Sequence, residues 1–155
     1  MNQQATFEAI LKGAIQGEVE SYELYTRAVA LAQEKPVQDT LRELAQEELA
    51  HKAALERLVA GPATAISEMG RFQATTARQE PVTEPMPFTA LEPTSTMEDV
   101  CAFAARKEQQ AYELYRSLAA RNAGEIGDVF LVLAQEELRH KRIVEGWLEE
   151  LCQEA

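Results

Sequence analysis

A chain of 155 residues with 46% apolar side chains is long enough for one domain with a substantial core, and none of its apolar runs approaches the roughly 20 residues of a membrane span. Its formal net charge of −11 argues against a nucleic-acid partner, because holding phosphates takes clustered Lys and Arg. The N-terminal MNQQATFEAILKGAIQGE lacks the basic start and short apolar block of a secretory signal, so a cytoplasmic protein with no membrane partner is expected.

Four helices are predicted, at roughly 5–34, 37–60, 96–122 and 125–153, in stretches rich in Ala, Leu, Glu, Gln and Arg. Lys35-Pro36 separates the first two, since proline interrupts a helix but can begin one. Five of the six prolines then fall between Gly61 and Thr94, marking a long connection with one short helical turn around Ala65 to Phe72. Such a connection can travel the length of a bundle, so that the third helix runs parallel to the second. Ser95-Thr-Met-Glu98 has capping-box spacing at the start of the third helix, and Asn122-Ala123-Gly124 separates the third from the fourth. The expectation is a single all-α domain over 1–155, with hairpin 1 at about 5–60, a crossover at about 61–95 and hairpin 2 at about 96–153.

The two hairpins are copies. Leu44 to Lys52, LAQEELAHK, returns as Leu133 to Lys141, LAQEELRHK, with eight of nine positions identical. Glu18 to Tyr25 and Glu108 to Tyr115 share the ending YELY. The two histidines of the chain, His51 and His140, each stand three residues after a glutamate inside the repeat. Two helices per unit and two units make a bundle rather than a solenoid.

Helical periodicity places these residues inward. The second helix presents Leu41, Leu44, Glu48, His51, Leu55 and Leu58 on one seam; the fourth presents Phe130, Leu133, Glu137, His140, Val144, Trp147 and Leu151. The first gives Phe7, Leu11, Ala14, Glu18, Ser21, Tyr25 and Ala28, and the third Cys101, Ala104, Glu108, Ala111, Tyr115 and Leu118. Glu47 and Glu136 fall off the seams and are expected to be solvated. The heights agree, because Glu18 and Glu48 are centred on residue 33 and Glu108 and Glu137 between 122 and 123, each near its hairpin turn. Four carboxylates in one apolar layer repel each other and lose their hydration. Two divalent cations would neutralise them, with an imidazole ligand for each.

That pattern resembles the ferritin-like di-iron carboxylate superfamily, and its rubrerythrin branch in particular: a Glu from each of two helices and Glu-x-x-His from each of the other two. The resemblance covers both hairpins and implies a ferritin-like four-helix bundle with Glu18, Glu48, His51, Glu108, Glu137 and His140 as metal ligands, Glu48 and Glu137 bridging. It differs from the ligand placement of Dps-type mini-ferritins. Rubrerythrins carry a further carboxylate three residues after the third-helix glutamate, where this chain has Ala111, with Ser21 in the matching place of the first helix. They also usually end in a cysteine-rich electron-transfer domain, whereas here the two cysteines, Cys101 and Cys152, form no CxxC pair.

The resemblance implies an oxidoreductase that reduces hydrogen peroxide or dioxygen at two iron ions, with Mn or Zn as alternative occupants. Its electrons are expected from an external donor such as a rubredoxin-like protein, and its assembly as a homodimer. Ferroxidase or iron handling of the bacterioferritin type, and a non-catalytic metal-binding bundle, are the alternatives. Tyr25 and Tyr115, seven residues beyond their glutamates, are expected either to hydrogen-bond the ligand carboxylates or bound peroxide, or simply to pack in the core. Cys101 and Cys152 come out roughly 12 Å apart in height at 1.5 Å per residue, too far for a disulfide. Trp147 is expected in the core or a subunit contact.

Overall fold

The computed structural model describes residues 3–61 and 91–154. Among them are four helices and no strand: α1 (Gln3–Leu31), α2 (Lys35–Ala60), α3 (Met97–Arg121) and α4 (Gly124–Glu154). Most of the crossover, including the helical turn expected around Ala65 to Phe72, lies outside the described residues.

Each helix packs closely along its hairpin partner, α1 on α2 and α3 on α4, and the hairpins meet through α1 on α3 and α2 on α4. Phe7 meets Phe130 edge-on with ring centroids 6.3 Å apart, and further along Tyr25 meets His140 at the same separation. The chain therefore advances in the same direction in α1 and α4, which makes α3 parallel to α2, as a lengthwise crossover requires.

The turns differ in detail from expectation. Lys35 and Pro36 do not interrupt a helix; they begin α2, and Ala32 to Glu34 make the turn. Proline in a first helical turn lacks only an N–H that would have no intrahelical acceptor. The N-cap Glu34 makes no side-chain cap, while Gln38 donates its amide N–H to the Ala32 carbonyl (2.8 Å). The capping box of α3 is one residue later than expected. Thr96 accepts from the Asp99 N–H (3.2 Å) and Asp99 accepts from the Thr96 N–H (2.9 Å). Ser95 is engaged elsewhere, accepting from the Glu92 N–H at 2.9 Å and so closing the turn before the helix.

In the second hairpin, Asn122 caps α3 by donating its side-chain N–H to the Leu118 carbonyl (2.7 Å). Gly124 takes φ +76 and opens α4 rather than terminating α3. A glycine is also needed one turn on, where a Cβ at Gly127 would stand 1.9 Å from the Asn122 carbonyl oxygen.

The core lies in two apolar blocks. One, toward the Ala32–Glu34 turn, gathers Leu24, Tyr25, Ala28, Leu41, Leu44, Val100, Phe103, Ala104 and Val144. The other, toward Asn122, gathers Phe7, Leu11, Leu55, Tyr115, Leu118, Phe130 and Leu133. Trp147 is half-buried against the first block, in keeping with a core role. Cys101 is buried and Cys152 exposed, and both thiols are free. A buried lysine, Lys107 on α3, reaches Glu20 on α1 (3.0 Å) and ties the hairpins together. Between the blocks runs a polar layer.

Candidate metal centre

All six glutamates and histidines predicted from the seams enter that layer, within one chain. They form two overlapping quartets, Glu18, Glu48, His51, Glu137 and Glu48, Glu108, Glu137, His140. In each quartet one candidate ligand atom per residue lies within 4.8 Å of every other. Glu48 and Glu137 belong to both. Every member is buried, the most exposed at only 3%. Helical spacing explains the convergence: residues three apart share a face, so each Glu-x-x-His pair projects together from α2 or α4. Glu18 and Glu108 arrive at the same level from α1 and α3.

The imidazoles point one nitrogen in and one out. His51 Nδ1 lies 2.7 Å from Glu137 and 3.3 Å from Glu48, and His140 Nδ1 lies 2.9 Å from Glu48. The two rings are nearly parallel, 14° apart in plane with centroids 5.6 Å apart. Each Nε2 faces the opposite hairpin, where His140 meets Glu47 at 2.8 Å and His51 meets Glu136.

This corrects the expectation that Glu47 and Glu136 are solvated. They are partly exposed, at 39% and 42%, but each carboxylate reaches the histidine of the other motif. A buried imidazole with one nitrogen inward needs a partner for the other, and a carboxylate beside it fixes the tautomer that leaves Nδ1 free. The sequence signal was the doubled Glu-Glu before each histidine.

The tyrosines complete the exchange. Tyr25 donates to Glu108 at 2.5 Å, and Tyr115 donates to Glu18. Each phenol thus holds the outer glutamate of the opposite hairpin. Of the other two YELY tyrosines, Tyr22 packs at the margin of the first core block and Tyr112 receives a hydrogen bond from Arg116 (3.2 Å).

Charge is distributed unevenly across the layer. Burial and the neighbouring Glu108 and Glu18 carboxylates push Glu48 well above the usual carboxylate range; burial and the charges of Glu108, Glu48 and Glu18 do the same to Glu137. Burial also works to raise Glu108, but hydrogen bonding to Glu137 and His140 and the His140 charge outweigh it and hold Glu108 at about 2. Glu18 is likewise lowered, its burial outweighed by Glu48, His51 and Tyr115. Burial disfavours the charged form of His51, yet Glu137 and Glu18 overcome it and raise the imidazole to about 11. The shared pair, Glu48 and Glu137, therefore hold their protons to higher pH than the outer pair.

These protons stand where cations would serve better. Glu48 Oε2 and Glu108 Oε2 are buried without a hydrogen-bond partner, and such orphaned acceptors are costly unless something positive meets them. Carboxylate oxygens with one inward imidazole nitrogen per quartet are a donor set that divalent metals take. Residues and geometry together fit a binuclear metal site.

The sequence model of the Rubrerythrin family matches residues 99–155, which span α3 and α4 and supply Glu108, Glu137 and His140. The match supports a ferritin-like domain of rubrerythrin type. No curated protein and no solved structure matches it significantly. Among the described residues, no helix is long and apolar enough to cross a membrane.

Proposed function

We propose that this rubrerythrin-type domain is a di-iron oxidoreductase that reduces hydrogen peroxide or dioxygen with electrons from an external donor, a rubredoxin-like protein being the expected kind. The observation that supports this best is the sharing of Glu48 and Glu137 by both quartets, because shared carboxylates keep two metal positions close together. Glu18 and His51 would complete one position, and Glu108 and His140 the other. Oxygen donors with imidazole suit iron, and manganese next. Two irons held there would supply one electron each, the chemistry that breaks an O–O bond without releasing a radical.

The chain's own side chains do the rest. Tyr25 and Tyr115 hold Glu108 and Glu18 in place through their hydroxyls, and burial together with the adjacent carboxylate charges pushes both phenols well above their ordinary range, which keeps them protonated donors. Glu47 and Glu136 hold the histidine Nε2 protons. The apolar blocks above and below keep bulk water from the layer, so that proton and electron supply stay coupled. Reduction of one peroxide to two waters consumes two electrons and two protons, and no redox-active cysteine pair is present in the chain to supply the electrons.

Rapid mixing of the anaerobic diferrous protein with hydrogen peroxide tests the reading. Oxidation should far outpace that of free ferrous iron, and repeated turnover should require an added electron donor. Oxidation no faster than that of free ferrous iron would exclude peroxide reduction. Fast uptake and deposition of excess iron, with peroxide little consumed, would favour a ferroxidase.

A further inference from the structure

The repeat LAQEELAHK/LAQEELRHK differs at a single position, Ala50 against Arg139. That difference falls on the carboxylates behind the histidines. Arg139 Nη2 donates to Glu47 Oε2 (2.6 Å), the same oxygen that His140 Nε2 meets at 2.8 Å. For Glu136, which serves His51, the repeat position equivalent to Arg139 is Ala50, and an alanine can offer no such cation. The two carboxylates are otherwise alike: each precedes a shared glutamate, crosses to the opposite hairpin and is similarly exposed, 39% and 42%.

We infer that Arg139 makes the two metal positions unequal, with the position at His51 binding the cation more tightly than the position at His140. A carboxylate that accepts an imidazole N–H raises the basicity of the ring's other nitrogen. A guanidinium on the same oxygen draws off that charge, so His140 Nδ1 is the weaker donor. The guanidinium's own positive charge acts in the same direction on a nearby cation. The first metal ion enters at Glu18, Glu48, His51 and Glu137, and the second completes the centre at Glu108 and His140. Arg139 is thus a positioning residue, acting on the metal only through Glu47 and His140.

This inference rests on the centre binding two ions, and the experiment separates the two claims. Zn(II) is added to metal-free protein while the ring signals of His51 and His140 are followed by NMR. Two equivalents should shift both rings. At one equivalent, His51 should be occupied about three- to tenfold more than His140, a fraction of the 10–100-fold that losing such a carboxylate partner costs in metal affinity. R139A should bring the occupancies close to equal and R139K should preserve most of the preference, whereas A50R, which brings a cation to Glu136, should diminish it. In the fully loaded protein R139A should move the His140 Nε2 proton downfield and leave that of His51 unchanged. Equal filling in the unsubstituted protein, filling of His140 first, or a preference that R139A leaves intact overturns the inference while the binuclear centre stands. A protein that takes up no Zn(II) overturns both.

Discussion

Glu48 shows how much the site costs the fold in the absence of metal. It is fully buried, contacts both histidines, and has one oxygen with no hydrogen-bond partner. Burial and the charges of Glu108 and Glu18 force it to keep a proton that an unfolded chain would release. Holding it costs stability at pH values above the unfolded value. Glu48→Gln removes that cost with nearly the same shape. The metal-free variant should therefore melt several degrees above the parent protein at pH 8. The advantage should vanish as pH falls well below 4.5, where the parent carboxyl is neutral in both states. The same substitution should abolish binding of the second metal ion, since a neutral amide replaces a shared anion. Thermal melts in chelator at both pH values, with a metal titration, check this; an unchanged melt at pH 8 would mean that Glu48 bears no such strain.

At the scale of the element, the second hairpin depends on two glycines for different reasons. Gly124 supplies a left-handed backbone, φ +76, at the start of α4. Gly127 supplies empty space, because the Asn122 carbonyl approaches to where a Cβ would be. Gly127→Ala should destabilise the protein by about 1–3 kcal/mol, the usual range for forced overpacking, although alanine is the better helix former. By contrast, Gly13→Ala and Gly146→Ala meet nothing within 4 Å and should stabilise their helices slightly. Chemical denaturation of the three variants should order them accordingly, and a neutral Gly127→Ala would show that the turn can yield.

The helices also show what a sequence can and cannot disclose. Periodicity along one helix identified the seams, because burial repeats every three or four residues; Glu18, Glu48, His51, Glu108, Glu137 and His140 all proved buried in one layer. The partners of the histidines were not legible that way. Glu47 lies off its own seam, and only the pairing of α2 against α4 brings it to His140. The α3 cap was ambiguous for another reason: Ser95–Glu98 and Thr96–Asp99 both have the spacing, and the turn from Glu92 to Ser95 decides between them. Register within an element is local information, whereas contact between hairpins is not.

For the whole molecule, the polar layer is the middle of the joint between the hairpins, so protons and metal ions compete to hold it together. Each quartet draws from both hairpins, the first taking Glu137 from α4 and the second Glu48 from α2. Glu48 and Glu137 have folded pKa values raised above the unfolded value near 4.5; their stabilising contribution is complete below that value and is lost as pH rises through the raised ones. His51, raised from 6.5 to about 11, behaves alike: its contribution is full below 6.5 and lost as pH climbs toward 11. Glu18 and Glu108 are lowered and act in the opposite sense, but only as pH falls below about 4.5. Between pH 5 and 8 the metal-free protein should therefore lose stability as pH rises. The loaded protein should gain it as pH rises from 5 through about 6.5, because cations replace the protons of Glu48, Glu137 and His51, whereas the unfolded chain still holds the histidine proton until pH passes its ordinary value of 6.5. Melting curves at pH 5, 6.5 and 8, with chelator and with saturating Zn(II), should show slopes of opposite sign over the lower interval. Parallel slopes would mean that metal and protons do not share these groups, and the centre would have to be sought elsewhere in the chain.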